Sequence, residues 1–274
     1  EWSARAAGVP PTLRARATRG APRFSAGRCG QTVAAGISAA DRVAAMGPVI
    51  TLVDARKTYT LGGSEFIALD GVSLSVSRGE FVAVVGPSGC GKSTLLNLVA
   101  GIDRPSSGSI EVAGTDVAAL SEDETARWRG RVVGVVFQFF QLLPVLTLEE
   151  NVMLPKAYRS VHAKGERAAV ARDLLGRVGL ADAAKKLPSQ VSGGQQQRAA
   201  IARALANDPE VLVADEPTGN LDSANAQAMM DLFVELSERG RTILMVTHDE
   251  EQTRRVDRIV RMRDGRLVQS PPTP

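Results

Sequence analysis

Residues 81–94 read Phe81-Val82-Ala83-Val84-Val85-Gly86-Pro87-Ser88-Gly89-Cys90-Gly91-Lys92-Ser93-Thr94, and this stretch decides the fold of the chain. Its first five residues form a continuous apolar run, which is typical of a strand buried on both faces of a sheet. The remaining nine fit the pattern G-x-x-x-x-G-K-[ST], and apolar residues suited to a helix follow over 95–99. Together they predict that backbone N–H groups at a helix N-terminus wrap a nucleotide phosphate.

The side chains of this loop add specific chemistry. We expect Lys92 to reach the β- and γ-phosphates and Ser93 to offer its hydroxyl to Mg²⁺. Because the positive potential of the loop favours a thiolate, we expect Cys90 to be a reactive thiol. The residues predicted to bind nucleotide here are Gly86, Pro87, Ser88, Gly89, Cys90, Gly91, Lys92, Ser93 and Thr94. Alone, the motif indicates only a P-loop nucleotidase.

Strand-like and helical segments alternate over the rest of the chain, which favours an α/β fold with a largely parallel sheet. Residues 147–190 are predicted to be mostly helical, with breaks at Pro155, Gly165 and Pro188. A helix is predicted after Gly194 and another over Ser223–Arg239. The other predicted strands are Val49–Asp54, Val72–Val76, Ser109–Val112, Val132–Phe137, Val211–Ala214, Thr242–Val246 and Arg266–Val268.

A second motif is the apolar strand Val211–Ala214, which ends in two acids, Asp215 and Glu216. We expect Asp215 to hold Mg²⁺ through its water shell. Glu216 is placed to act as general base on the attacking water. Acids are common at strand ends, and it is the phosphate loop that favours the functional interpretation over a solvated turn.

Charge is concentrated in one part of the 274-residue chain. Residues 1–45 hold seven Arg and two acids, an excess of five positive charges, whereas the whole chain carries +3. This segment lacks apolar periodicity, so we predict a disordered basic tail over 1–45 and one ATPase domain over 46–274. We interpret the tail as sequence translated from a start upstream of Met46, with an Arg-rich transit peptide as the alternative. The basic balance is therefore poor evidence for nucleic-acid binding.

Cysteine usage and hydropathy argue against a disulfide-stabilised protein and against a membrane-spanning chain. Cys29 and Cys90 are the two cysteines of the chain, so no disulfide framework is expected, and a reducing compartment fits. The longest uncharged segment, Val132–Leu148, falls short of the ~20 apolar residues of a membrane span. We expect the chain not to cross a membrane.

The sequence Val191-Ser192-Gly193-Gly194-Gln195-Gln196-Gln197-Arg198 opens another predicted helix. Its serine and glycines at a helix N-terminus form a second anion site. The segment resembles the signature of ABC ATPases, usually Leu-Ser-Gly-Gly-Gln, with Val191 in place of Leu. The resemblance implies that Ser192, Gly193, Gly194 and Gln195 complete the ATP site of the opposite subunit.

Other elements of that family occur in the same order and carry implied roles. Tyr59 stands where the family stacks an aromatic ring on adenine, and Gln138 where it senses Mg²⁺ and the membrane partner. Asp222, in Gly219-Asn220-Leu221-Asp222, matches the loop that contacts the other subunit, and His248 matches the histidine at the γ-phosphate. The implied catalytic residues are Glu216, His248 and Gln138, and the implied metal ligands are Ser93, Gln138 and Asp215. The resemblance covers about Val49 to Val268.

Three further segments look like the lipoprotein-releasing and macrolide-export branch, namely Ala68–Leu74, Gln141–Pro144 with Glu150–Val152, and Ala214–Asp222. The implied fold is a P-loop NTPase with a mainly parallel core sheet, an antiparallel β subdomain and a helical signature subdomain at about 139–195. The implied partners are integral-membrane permease subunits and a second copy of the chain. The implied location is the cytoplasmic face of the plasma membrane, reached through the permease.

The resemblance predicts an ATP-hydrolysing subunit that powers transport or extraction of a lipoprotein, macrolide or peptide-like substrate. A cell-division-type ABC ATPase is close enough to remain an alternative. A soluble ABC ATPase acting on nucleic acid is disfavoured because only 100 residues separate Lys92 from Ser192, without sustained heptads. A binding module that no longer hydrolyses ATP is disfavoured because Glu216 and His248 are both present.

Overall fold

The computed structural model of this protein describes residues 47–159 and 164–268. The tail predicted over 1–45 lies outside the described residues. The described strands are β1 (Pro48–Leu61), β2 (Ser64–Ser77), β3 (Phe81–Val85), β4 (Ser107–Val112), β5 (Thr115–Asp116), β6 (Val133–Val136), β7 (Val211–Asp215), β8 (Thr242–Thr247), β9 (Arg258–Arg263) and β10 (Arg266–Val268). The described α-helices are α1 (Lys92–Val99), α2 (Glu122–Val132), α3 (Leu148–Arg159), α4 (Lys164–Arg177), α5 (Gly193–Ala204) and α6 (Ser223–Glu238).

A six-stranded sheet forms the centre of the fold, with its strands in the order β10-β9-β3-β8-β7-β6. The pairs β9–β3, β3–β8, β8–β7 and β7–β6 are parallel, and β10 pairs with β9 in the antiparallel sense. The apolar strands β3, β7 and β8 are buried over almost all of their length. The segments that follow β3, β6, β7 and β8 therefore meet at the carboxyl edge of one sheet, where α/β proteins place their ligands.

The period-2 alternation of β3 explains how this sheet is covered on both faces. Val82 and Val84 pack into a cluster with α1 and the second sheet, whereas Phe81 and Ala83 pack into a cluster with α6. The Phe81 ring lies against Phe233 of α6, with ring centroids 6.3 Å apart. Each residue of β3 is thus fixed by its neighbours, which holds the phosphate loop that begins at Gly86.

A second sheet, in the order β2-β1-β4-β5, is antiparallel throughout. β1 and β2 form a long hairpin that closes where Leu61 pairs with Ser64, and Tyr59 lies opposite Phe66 near that end. The inward residues of this sheet pack on α1 from the side opposite the core sheet. Helix α1 is therefore held between two sheets.

The helices α3, α4 and α5 share a separate apolar cluster that includes Leu148, Val152, Leu175, Leu180 and Ala199. This arrangement and the two sheets confirm the predicted fold class. The boundaries 46–274 and 139–195 stay predictions. No helix among the described residues has the length and apolar character needed to span a lipid bilayer.

The structure corrects several predicted elements. Pro155 lies inside α3 rather than ending a helix, since Leu148 and Val152 bury this helix in the helical cluster and that packing outweighs the cost of the proline. Gly165 falls in the first turn of α4, and Val132 ends α2 instead of opening a strand. Helix α2 and strand β9 were not predicted. The strands around the predicted Val49–Asp54 and Val72–Val76 are 14 residues long.

Candidate active site

The loop between β3 and α1 needs glycine at two positions for packing as well as for ligand access. A Cβ on Gly86 would lie 2.2 Å from the Met262 carbonyl oxygen, and one on Gly91 would lie 2.4 Å from that of Ala68. Gly91 also has a φ of +105° and directly precedes α1. The loop is therefore pressed against β9 and β2, while Pro87, Ser88 and Gly89 are exposed.

Lys92, the first residue of α1, is almost fully buried below this loop. Its ammonium donates to the carbonyl oxygens of Gly86 at 2.8 Å and Pro87 at 3.0 Å. It also lies 3.7 Å from Oε1 of Glu216. This cation joins the phosphate loop to the end of β7.

Ser93 and Asp215 form the next contact across the sheet edge. The Ser93 hydroxyl donates to Oδ1 of Asp215 at 3.1 Å. Burial raises the pKa of the Asp215 carboxyl, and the Glu216 carboxylate raises it further, whereas the Ser93 hydrogen bond and the Lys92 cation act in the opposite direction. A partly buried carboxylate in this setting would be stabilised by an additional cation.

Glu216 is held by both its backbone and its carboxylate. Its φ is +43°, and its N–H donates to the Val246 carbonyl at 2.9 Å, so the residue turns sharply at the end of β7. Oε2 lies 2.8 Å from Nδ1 of His248, which follows β8. The Glu216 side chain is mostly buried, whereas His248 is half exposed.

Gln138, two residues past β6, faces the same point. Its Nε2 lies 3.6 Å from the position that a Cβ on Gly219 would take, and Oε2 of Glu216 lies 3.5 Å from that position. The Asn220 side-chain amide donates to the Gln138 carbonyl at 3.0 Å. The segment that follows Glu216 thus positions Gln138 beside it.

Tyr59 is anchored by a small polar cluster at the end of the β1–β2 hairpin. Its hydroxyl donates to Oδ2 of Asp103 at 2.7 Å, and its side chain hydrogen bonds Thr94 of the phosphate loop. The Lys57 ammonium contacts Oδ1 of Asp103 at 2.5 Å and lies 4.9 Å from the centre of the Tyr59 ring. Burial and the Asp103 hydrogen bond raise the pKa of the Tyr59 hydroxyl. The ring is therefore held beside the phosphate loop with a cation on one face.

The predicted signature residues begin α5. The Ser192 hydroxyl accepts from the Gln195 N–H at 3.3 Å, and the Gln195 side chain accepts from the Ser192 N–H at 3.0 Å, which forms a capping box. A Cβ on Gly194 would lie 2.6 Å from Oδ1 of Asn225. Asn225 in turn donates to both carboxylate oxygens of Asp222, the N-cap of α6. The starts of α5 and α6 are therefore locked together.

The predicted site residues fall into two groups. Gly86–Thr94, Tyr59, Asp215, Glu216, His248 and Gln138 come together at the carboxyl edge of the core sheet. Ser192, Gly193, Gly194, Gln195 and Asp222 form the other group. None of the hydrogen bonds and ion pairs found among the described residues joins the signature residues to the phosphate loop of the same copy.

Cys90 is not the accessible thiol that the sequence suggested. Its side chain is 4% exposed and packs in the cluster around α1. The loop turns this side chain inward, toward the backbone of Gly86, and only the Cys90 backbone could contribute to ligand binding. A buried thiol in an apolar setting is inert toward large reagents.

Some residues that shape the site were missed. Lys57 lies two positions before Tyr59 on one strand, so period-2 alternation could have placed it on the same face. Asp103 gave no local signal, because it reaches Tyr59 through tertiary packing. Asn225 lies three residues after Asp222, but its contact with Gly194 is tertiary.

The oxygen donors at the sheet edge suit Mg²⁺. The described residues hold no group of three or more His, Cys, Asp or Glu side chains able to bind a metal. The Asp215 carboxylate, the Ser93 hydroxyl and the Gln138 amide oxygen are instead three oxygen donors of the kind that Mg²⁺ prefers. Phosphate and water would complete its coordination shell.

Comparison with known proteins identifies relatives that match most of this chain. A sequence profile of the ABC transporter family matches residues 69–219. The macrolide export ATP-binding/permease protein MacB of Shigella flexneri is 44% identical over 83% of this chain, which corresponds to 35% of that protein. An uncharacterized ABC transporter ATP-binding protein of Thermotoga maritima is 49% identical over 81% of this chain and 94% of that protein. The chain thus spans about a third of MacB and nearly all of the Thermotoga relative.

A solved structure gives the same assignment. The ATP-binding cassette MJ0796, in a dimeric post-hydrolysis state bound to ADP and Pi, superposes with a TM-score of 0.76 at 41% identity, over 80% of this chain and 97% of that one. The predicted family is confirmed, and MacB agrees with the predicted branch. The chain belongs to the ABC transporter family, as the component that binds and hydrolyses ATP.

Proposed function

We propose that two copies of this chain enclose two ATP molecules, hydrolyse them with Glu216 as general base, and drive a separate membrane permease. The observation that carries the proposal is the position of the Glu216 carboxylate, with His248 at 2.8 Å and Lys92 at 3.7 Å, beside the Ser93–Asp215 pair. The groups that could serve as general base, phosphate-binding cation and metal ligands thus lie together at one sheet edge, which supports the proposal.

The phosphate loop binds the nucleotide in this account. Backbone N–H groups of Gly86–Thr94 and the N-terminus of α1 surround the β-phosphate. Lys92 exchanges its carbonyl acceptors for charged phosphate oxygens, which accept stronger hydrogen bonds. Adenine stacks on the Tyr59 face opposite Lys57, since the phenol is held in place by Asp103 and Thr94.

Ser93, Asp215 and Gln138 are the proposed ligands of Mg²⁺, directly or through its water shell. When bound, the ion neutralises charge that develops on the β- and γ-phosphates. Asp215 is suited to this role because burial makes its ionised form costly without a cation.

Hydrolysis is then a matter of position and charge. The Glu216 carboxylate accepts a proton from the attacking water while that water attacks the γ-phosphorus. The bond from the γ-phosphorus to the β,γ-bridging oxygen breaks, and ADP is the leaving group. His248 holds Oε2 of Glu216 and is proposed to contact the γ-phosphate. Gln138 orients the water because its amide and the Glu216 carboxylate face the same point beside Gly219.

The second group of residues is proposed to act in the other copy. The capped N-terminus of α5 offers an anion site that its own phosphate loop does not contact. Asp222 is fixed next to it through Asn225. The dimeric state of MJ0796 supports the same arrangement here.

A permease is proposed to dock in a groove of about 870 Å³ between the core sheet and the helices. Phe137, Gln141, Pro155 and Tyr158 are among its lining residues, and Tyr158 is 85% exposed. Exposed Tyr158, with the partly buried Phe137 and Pro155 beside it, gives this groove apolar surface on which a helix from a partner could pack. This docking would hold the chain at the cytoplasmic face of the membrane.

We infer the transported substrate from the branch of the family that this chain resembles. MacB is described as a macrolide export protein, so we infer a macrolide, lipoprotein or peptide-like substrate that the permease selects. The cell-division branch shares the motifs of this chain and remains the second candidate. We propose no role on nucleic acid.

Replacing Glu216 with Gln tests the catalytic assignment. We expect Glu216→Gln to lower kcat about 10²–10⁴-fold, because the amide still accepts a hydrogen bond from His248 but cannot take a proton. ATP affinity should change little. The matched control is Glu210→Gln, at the residue just before β7 begins, where the Glu210 carboxylate pairs with the guanidinium of Arg78 at the surface. Steady-state hydrolysis above a tenth of the wild-type rate would exclude Glu216 as the base.

A further inference from the structure

The turn after β6 has an unusual backbone. Phe140 and Gln141 have φ values of +55° and +53°, so two consecutive residues with side chains lie in the left-handed region. L-residues avoid this region, and it is seldom occupied twice in succession outside glycine. Backbone hydrogen bonds within the turn run from the Phe140 N–H to the Phe137 carbonyl at 3.3 Å and from the Gln141 N–H to the Phe139 carbonyl. Contacts from elsewhere in the chain add to them.

Arg203, near the C-terminal end of α5, supplies those contacts. Its Nη2 donates to the Phe140 carbonyl at 2.8 Å, and its Nη1 donates to the Gln141 carbonyl. One guanidinium thus binds both carbonyls of the left-handed pair, which suits the planar fork of Arg and not the single ammonium of Lys. Burial lowers the pKa of the Arg203 guanidinium, as expected for a side chain enclosed by the turn.

The same turn contacts both the segment that follows Glu216 and the start of α5. Asn220 donates to the Gln138 carbonyl at 3.0 Å. The Phe140 ring lies 3.7 Å from the position of a Cβ on Gly193. Gln141 and Arg203 also line the groove proposed for the permease. A shift of α5 would therefore move the turn, and with it Gln138.

We propose that Arg203 is a positioning residue that clamps the 138–141 turn and thereby sets the place of Gln138 beside Glu216. The inference rests on the proposed role of Gln138 in hydrolysis. Arg203 makes no contact with nucleotide in this account and acts through the turn. Helix α5 begins with the signature, and Arg203 lies near its C-terminal end. Arg203 therefore connects this helix to the turn that carries Gln138.

The test is a double-mutant cycle on the purified full chain. We expect Arg203→Met to lower kcat about tenfold or more, since small displacements of catalytic groups have effects of this size, with the KM for ATP within about twofold. In a Gln138→Ala background, Arg203→Met should lower kcat no further, because the clamp then has no glutamine to place. Amide hydrogen exchange over 137–142 should be faster in Arg203→Met.

The matched control is Arg241→Met, which removes a guanidinium that donates to the Pro209 carbonyl and Asp208, near the amino ends of β7 and β8. It should leave kcat and exchange over 137–142 unchanged. If Arg203→Met does not fold, Arg203→Lys, which can reach only one carbonyl, enters the same cycle. Losses that multiply in the double variant, or unchanged exchange over 137–142, would overturn the clamp. Turnover of the wild type and of Glu216→Gln tests the proposed function separately.

Discussion

At the scale of single residues, the site holds two neighbouring carboxylates, Asp215 and Glu216, whose negative charges repel each other. Asp215 is partly desolvated and lies beside Glu216, and both effects raise the pKa of its carboxyl. A raised pKa means that the ionised group is less stable in the folded chain than in the unfolded one. The ligand-free protein therefore bears a stability cost at neutral pH for keeping a carboxylate ready for a cation.

We predict that Asp215→Asn removes this cost while abolishing hydrolysis. At pH 7 the Tm of the ligand-free variant should exceed that of the wild type, because the uncharged amide does not bear the desolvation cost of the carboxylate. The folded pKa lies above the unfolded value of 3.8, so the gain is complete above the folded pKa and fades as pH falls toward 3.8. Thermal unfolding from pH 4 to 8 measures it, with exposed Asp182→Asn as control. A lower Tm than wild type at pH 7 would contradict the account.

At the scale of elements, the starts of α5 and α6 behave as one unit. Asp222 caps α6 and holds Asn225, and the Asn225 side chain occupies the space beside Gly194 where a Cβ would be. Glycine is required at position 194 because of this packing as well as for any phosphate.

We predict that Gly194→Ala separates these two helix starts. The added methyl would lie 2.6 Å from Oδ1 and 2.8 Å from Cγ of Asn225, so Asn225 must move and release Asp222. Hydrolysis should fall about tenfold or more, since both parts of the proposed partner-facing surface shift together. ATP affinity of the isolated chain should stay within about twofold. Gly176→Ala in α4, where a Cβ meets no atom within 4 Å, is the control. Wild-type turnover in Gly194→Ala would refute the coupling.

The elements also show what the sequence could predict. Strand β3 and its loop were predictable because burial pattern, glycine spacing and the following helix are local signals. Strand β9 was missed because its arginines mask the pattern, although Met262 within it packs under the phosphate loop. Helix α2 was missed because only Thr125 and Trp128 are buried, even though Ser121 and Glu124 form a capping box that could have marked its start.

The candidate site likewise contains residues that the sequence predicts and residues that it does not. The motif residues were found from spacing, and the structure groups them at one sheet edge. The residues that position them also contact partners far away in sequence. Asp103 lies 44 residues from Tyr59, Asn225 31 residues from Gly194 and Arg203 63 residues from Phe140. No periodicity links these pairs. The inward side chain of Cys90 was likewise set by the packing of the loop on β9 and β2.

At the scale of the whole molecule, the proposed site residues of one copy lie in two separate groups. The phosphate loop, Asp215, Glu216 and His248 lie at the sheet edge, while Ser192–Gln195 and Asp222 form a separate group. A symmetric dimer in which each copy supplies both halves would complete two equal sites, which is the isologous arrangement expected for a twofold homodimer. Nucleotide would then be part of the interface.

The most direct test of this claim is the molar mass of Glu216→Gln in solution, measured by light scattering with and without ATP. Because this variant is expected to bind ATP without hydrolysing it, we predict the mass of one chain without ATP and of two chains with it. Glu216→Gln combined with Gly194→Ala should bind ATP and keep the mass of one chain. A mass for Glu216→Gln that is the same with and without saturating ATP would contradict the shared site.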